Sequence, residues 1–160
     1  WVDYELLYYL CKNFPNKKFL LLGYIHALTP TKSIVELKNY NNILMPGFIK
    51  YEKLKNYYEK SRVAIVPYQQ KNEHILYSSP TKFYDYFASG LPVVSTNFPA
   101  ANEYDDLVYI ADNYQDFVRG IQYFIDNDND QLKEKRINFS KNSTWDKQVE
   151  KMVKLIFKEG

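Results

Sequence analysis

The chain has 160 residues, enough for one domain with a real core, and its 46% hydrophobic and 25% charged content is that of an ordinary globular domain. A net charge of +2 gives no argument for nucleic acid or a membrane surface. No apolar run approaches the roughly 20 residues that span a bilayer, and the opening residues do not read as a signal peptide. The 16 Tyr and 10 Phe, with abundant Asn and Lys, carry the bias of an AT-rich genome, within which aromatic binding faces can hide. The single cysteine, Cys11, has no partner for an internal disulfide and reads as a small core residue.

Residues 2–13 place Leu6, Leu7, Leu10 and Cys11 on one stripe, which predicts a helix ending at Phe14-Pro15. Beginning on Trp1 and entering a helix at once, the chain reads as a piece of a longer protein. Phe19 to Gly23 is a short, continuous apolar run of the kind that forms a strand buried on both faces. Residues 24–33 are loop-like, with His26 a surface histidine and Thr29-Pro30-Thr31 a breaker before a short helix to Leu37. Ile43 to Met45 predicts a second strand, stopped by Pro46-Gly47. Residues 50–60 predict a helix with Tyr51, Leu54, Tyr57 and Tyr58 turned inward and its lysines on a solvated face.

Val63 to Pro67 is the third strand, followed by a polar loop from Tyr68 to Ser78. Pro92 to Ser95 is the fourth, Phe98-Pro99 a turn leading into one helical turn to Tyr104, and Leu107 to Ile110 the fifth. Phe117, Ile121, Phe124 and Ile125 mark an amphipathic helix, broken by Asp126 to Asp130, after which a polar helix runs to about Asn138. The acidic break lacks the glycine and terminal glutamate of a calcium loop. Thr144 caps a last helix whose apolar face is Trp145, Val149, Met152, Val153 and Ile156. Short apolar strands alternating with helices predict an α/β domain with a doubly wound parallel sheet of about five strands. In such sheets ligands sit beyond the carboxyl ends of the strands.

The most informative stretch runs from Ser78 to Thr96. Ser79 reads as a helix N-cap, Pro80 suits the first helical position, and Gly90 suits the helix C-terminus. Phe83, Tyr86 and Phe87 mark the packed face, leaving Thr81, Lys82, Asp85 and Ser89 off it. Lys82 in the first turn opposes the helix dipole, a conflict that an anionic ligand removes. An ion pair between Lys82 and Asp85, at i,i+3, is the other reading, and spacing leaves both open.

Pro80-Thr81-Lys82-Phe83-Tyr84-Asp85-Tyr86-Phe87-Ala88-Ser89-Gly90-Leu91-Pro92-Val93-Val94 resembles the P-x-K-x-x-E-Y-x-A-x-G-x-P-V-V stretch of group 1 glycosyltransferases of the GT-B fold. Trp1 to Leu7, Phe19 to Gly23, Ile43 to Phe48, Leu54 to Pro67 and the helix with Trp145 resemble the surroundings of that motif, so the likeness covers essentially the whole chain. It implies a Rossmann-like, nucleotide-sugar-binding C-terminal domain (residues 1–160) of a bacterial enzyme that builds cell-surface polysaccharide. The helix over 142–160 would pack back on the domain or toward an N-terminal domain. The domain's first strand would belong between the Phe19–Leu22 and Val63–Val66 strands.

The resemblance further implies a donor site in which Asp85 holds the ribose hydroxyls, while Ser78, Ser79, Thr81 and Lys82 meet the diphosphate. Gly47, Phe48 and Ile49 would lie at the base. The substrate would be a UDP-, GDP- or dTDP-sugar, with no cofactor and no metal, and the acceptor a glycan or lipid-linked glycan bound by the N-terminal domain. It implies a cytoplasmic location, with any membrane contact peripheral at the inner face of the plasma membrane, and no nucleic-acid partner. Two departures stand out: the family's usual glutamate is Asp85, and its second glutamate is replaced by Tyr77. Glu73 or His74 in the same loop would then contact the donor sugar. Without the N-terminal half, this chain would bind nucleotide weakly and transfer no sugar. A non-catalytic interaction module and a receiver-like signalling domain are the alternative readings, although the third strand ends Val66-Pro67-Tyr68 rather than in an aspartate.

Overall fold

The computed structural model describes residues 1–25, 31–70, 73–79, 81–104 and 106–157. His26, Thr29 and Pro30, and Pro80 of the central motif, lie outside them. In chain order the elements are α1 (Tyr4–Asn13), β1 (Phe19–Leu22), α2 (Thr31–Lys38), β2 (Ile43–Gly47), α3 (Tyr51–Tyr58), β3 (Ala64–Val66) and α4 (Glu73–Leu76). They continue as α5 (Lys82–Ala88), β4 (Val93–Thr96), α6 (Pro99–Asn102), β5 (Val108–Ala111), α7 (Tyr114–Asn127), α8 (Asp130–Asn142) and α9 (Trp145–Ile156).

Every strand pairing is parallel, in the order β1-β2 and β3-β4-β5. The expected doubly wound α/β architecture is therefore present, with its strands divided into two sheets. The division falls between β1 and β3, where the resemblance places a further strand. β2 carries Pro46 although proline has no ladder donor, which an outer strand tolerates. The β1–β2 register shifts there, with Leu20 opposite Leu44 but Leu22 opposite Gly47. Gly47 then turns out of the strand at φ +84°, a conformation that L side chains disfavour.

β4 is buried along its whole length, and alternation sends its residues to opposite faces. Val94 and Ala111 join Leu6, Leu7 and Leu10 of α1 and Phe117, Ile121 and Phe124 of α7. Phe19, Leu37 and Ile43 belong to the same cluster, so α1 ties the two sheets to one core. Cys11 is buried in it, as expected of a small apolar residue. On the other face, Val93 and Val108 pack with Phe83 and Phe87 of α5, with Phe139 of α8 against them. Asp3 caps α1 by accepting the Leu6 N–H at 3.0 Å. Its own N–H donates to the Pro67 carbonyl at 2.8 Å, laying residues 1–3 antiparallel along the end of β3.

Thr144, expected to cap α9, makes no side-chain capping bond, and two other helix readings need correction. α5 runs from Lys82, and Thr81, already helical at φ −60° and ψ −22°, precedes it without a capping side-chain bond; the expected first position, Pro80, lies outside the described residues. Ser79 is exposed, and among the described residues it makes no capping bond to α5. The helix that follows the acidic break continues to Asn142 instead of stopping near Asn138. The break itself serves a buried cation: Arg136, only 2% exposed, donates to both Asp128 carboxylate oxygens at 2.8 Å and to the Gly90 carbonyl at 2.9 Å.

The C-terminus of α5 is as the sequence predicts. Leu91 N–H donates to the Tyr86 carbonyl and Gly90 N–H to the Phe87 carbonyl, both at 2.9 Å, the paired bonds of a Schellman turn. Gly90 carries the required positive φ of +73°. A Cβ there would also lie 2.6 Å from Lys133 Cγ. Gly90→Ala should therefore destabilise the fold by about 1–2 kcal/mol, read as a lower urea midpoint at unchanged slope. Arg136→Gln leaves Asp128 and the Gly90 carbonyl without their donor, and should cost about 3 kcal/mol in the same experiment.

Candidate functional site

Parallel pairing aligns the carboxyl ends of the strands within each sheet, and the candidate side chains lie in the segments that follow those ends. Beyond β1 stands Tyr24 and beyond β2 stands Phe48; their rings stack at 4.7 Å between centroids and 10° between planes. Both are exposed, Tyr24 to 78% and Phe48 to 54%, so the pair presents a flat aromatic surface to solvent. Gly23 N–H donates to the Gly47 carbonyl at 3.0 Å, which fixes the two loops against each other. Ile49 is half-buried beside them.

Three residues after Phe48, Tyr51 opens α3. Sequence periodicity turned this ring inward; the structure places it 68% exposed, with its hydroxyl donating to Asp85 Oδ1 at 2.8 Å. α3 buries no residue at all, because only one flank of it meets the domain. Its exposed lysines include Lys55, paired with Glu59 at 3.7 Å, consistent with a solvated face.

Lys82 and Asp85 share the first turn of α5, yet no ion pair joins them among the described residues. The Lys82 ammonium instead lies 4.8 Å from the centroid of the Tyr68 ring, a cation–π contact. Tyr68 is buried and firmly placed: its N–H donates to Thr96 Oγ1 at 3.1 Å, and that hydroxyl donates to the Val66 carbonyl at 3.4 Å. The conflict between Lys82 and the helix dipole is thus eased by an aromatic face. Thr81 and Ser79 are exposed, and the Ser78 hydroxyl donates to the Ile75 carbonyl at 3.1 Å. Glu73 and His74 are carried on α4, both exposed, and Tyr77 is 90% exposed.

Electrostatically, the Asp85 carboxylate faces neutral phenols. The Tyr51 hydroxyl is raised above its ordinary pKa, first by the hydrogen bond to Asp85, then by that carboxylate's charge, then by burial. Burial pushes Tyr58 up to about 12, with Asp85 and Tyr51 adding to it. Tyr86, in edge contact with Tyr58 at 5.4 Å, is raised still more, chiefly by burial. These hydroxyls remain donors at neutral pH.

A second feature is a cavity of about 30 Å³ lined by Asp3, Gln70, Thr96, Asp112 and Tyr114. It has room for about one water. The Tyr114 hydroxyl donates toward both Asp3 oxygens, at 3.0 and 2.9 Å, so the polar groups there bind one another.

A family model described as glycosyl transferases group 1 matches residues 4–145. The chain belongs to that family. The matched span contains Tyr24, Phe48, Tyr51, Tyr68, Lys82 and Asp85, while α9 lies almost wholly beyond it. A receiver-like identity is thereby set aside. A relative of 25% identity is "Putative teichuronic acid biosynthesis glycosyltransferase TuaH" of Bacillus subtilis (strain 168), aligned over 90% of this chain and 37% of that protein. The chain therefore spans little more than a third of that relative's length.

Within this group 1 domain Lys82 and Asp85 share the first turn of α5, Asp85 meeting Tyr51 and Lys82 meeting Tyr68, while Phe48 stacks on Tyr24. The structure thus adds Tyr24, Tyr51 and Tyr68, which the sequence reading left as loop or core. The only sequence signal for Tyr51 was its place as the first residue of a helix that follows a glycine turn. Asp85→Asn should bring the Tyr51 pKa back down toward the ordinary tyrosine value, since it removes the negative charge that holds the proton. A pH titration followed by the tyrosine Cζ resonance measures this.

Proposed function

We propose that this chain is the nucleotide-sugar-binding part of a group 1 glycosyltransferase, and that the transferred sugar goes to a glycan or cell-envelope acceptor. The observation that carries the reading is the separation of charge on α5. Asp85 and Lys82 stand three residues apart at the ligand-binding edge of an α/β sheet, and each is held by an aromatic ring rather than by the other.

In this reading the Asp85 carboxylate accepts the ribose hydroxyls. Lys82, with Thr81, Ser78, Ser79 and the backbone N–H groups around them, meets the diphosphate. As the bond to the sugar breaks, negative charge grows on the departing nucleoside diphosphate, and a cation fixed there stabilises the transition state more than the ground state. That positive charge takes the place of a metal, so the donor needs no cofactor. The base lies at Gly47, Phe48 and Ile49, where the Tyr24–Phe48 pair offers a stacking surface. Glu73 and His74 face the donor sugar. The name of the TuaH relative supports a cell-envelope polymer as the acceptor class.

The acceptor is bound by chain outside these residues, so residues 1–160 alone bind nucleotide weakly and transfer no sugar. The apolar face of α9 fits this division. Trp145 is 81% exposed and Ile156 73%, and that face docks on the remainder of the enzyme. The enzyme works in the cytoplasm, with membrane contact only peripheral; no described helix is long and apolar enough to cross a bilayer.

Calorimetric titration of the full-length protein with UDP, GDP, dTDP and their sugars tests the assignment. Asp85→Ala should weaken the best ligand by at least about tenfold, the loss of hydrogen bonds to a charged acceptor worth about 1.5–3 kcal/mol. Equal binding by both proteins refutes the ribose contact.

A further inference from the structure

We infer that the Tyr51 hydroxyl is the resident partner of the Asp85 carboxylate, displaced when a ribose binds, and that Tyr51 thereby sets the affinity of the site. The inference rests on the reading of Asp85 as the ribose acceptor. A vicinal diol donates one hydroxyl to each carboxylate oxygen, and here Oδ1 already accepts the phenol at 2.8 Å. Lys82 does not compete for that carboxylate, because its ammonium is held on the Tyr68 ring.

Displacement is easy for a structural reason. Tyr51 is 68% exposed at the first position of a helix that buries none of its residues, so its ring can swing away without opening a core. Asp85 itself is anchored more firmly, on α5 between the fully buried Phe83 and Phe87. The phenol keeps its proton at neutral pH, so it sits on the carboxylate as a donor and mimics the hydroxyl it yields to. Exchange therefore replaces one hydroxyl donor by another, and the ligand recovers only the difference.

The test uses the full-length protein in wild-type, Tyr51→Phe and Asp85→Ala forms. Each is titrated with the ribonucleoside diphosphate that binds wild type best and with its 2′,3′-dideoxy counterpart. Removing the resident hydroxyl should tighten the ribonucleotide by roughly two- to tenfold, the exchange of one solvent-exposed hydrogen bond to a charge. It should leave the dideoxy compound unchanged. The Tyr51 Cζ resonance should move, on adding ribonucleotide, toward its position in Asp85→Ala. Unchanged or weaker ribonucleotide binding by Tyr51→Phe overturns the inference, as does equal tightening of both ligands or a stationary Tyr51 resonance. If Asp85→Ala weakens binding while Tyr51→Phe gains nothing, the ribose reading stands and only the displacement falls. If Asp85→Ala binds as wild type does, both fall.

Discussion

The reversal at Gly90 is the constraint on which the rest depends. It ends α5 and launches β4, so one turn sets both the helix that carries Lys82 and Asp85 and the central strand against which both cores pack. The left-handed φ of Gly90 lets the chain fold back within two residues, and the paired backbone bonds to Phe87 and Tyr86 satisfy the carbonyls at the helix end. Arg136 then fastens α8 to the same place through the Gly90 carbonyl, with its charge neutralised by Asp128. A buried guanidinium is costly unless it is paired and hydrogen-bonded in this way. The far end of α5, which carries Lys82 and Asp85, inherits its position from this clamp.

At that end, the arrangement avoids the obvious ion pair. An exposed Lys82–Asp85 contact would contribute only a few tenths of a kcal/mol and would leave neither group free for a ligand. Tyr68 and Tyr51 keep the two charges apart instead. An aromatic face holds a cation without neutralising it, and a phenol caps a carboxylate without cancelling its charge. The same tyrosines supply apolar surface, which suits a ligand with a flat base at one end and a charged diphosphate at the other.

Much of this was legible because apolar strands and glycine turns leave strong local signatures. Phe19 to Gly23, Val63 to Pro67 and Pro92 to Ser95 read as strands because continuous apolar runs bounded by breakers have few alternatives, and β1, β3 and β4 lie within a residue of those bounds. Gly90 was readable because its conformation is dictated by sterics alone. What failed depended on tertiary neighbours. The spacing of Tyr51 with Leu54 and Tyr58 matches an inward face, but nothing local says that α3 meets the domain along one flank only. Ser79 was read as the N-cap, yet Thr81 takes the place before α5 and makes no side-chain capping bond. The burial of Arg136 was invisible, since its partners lie eight residues before it and in a turn 46 positions away. The apolar stripe of α9 was read correctly as a pattern, but a pattern does not say what it packs against.

Group 1 membership and the motif from Lys82 to Gly90 give the family, and the geometry gives Asp85 and Tyr51 their relation. The most direct test of the account is a structure of the full-length protein with a bound ribonucleoside diphosphate. The account predicts ribose hydroxyls within hydrogen-bond distance of both Asp85 oxygens, the diphosphate at Lys82, and the Tyr51 hydroxyl withdrawn from Oδ1. A ribose bound elsewhere, with Tyr51 still on Asp85, would contradict it.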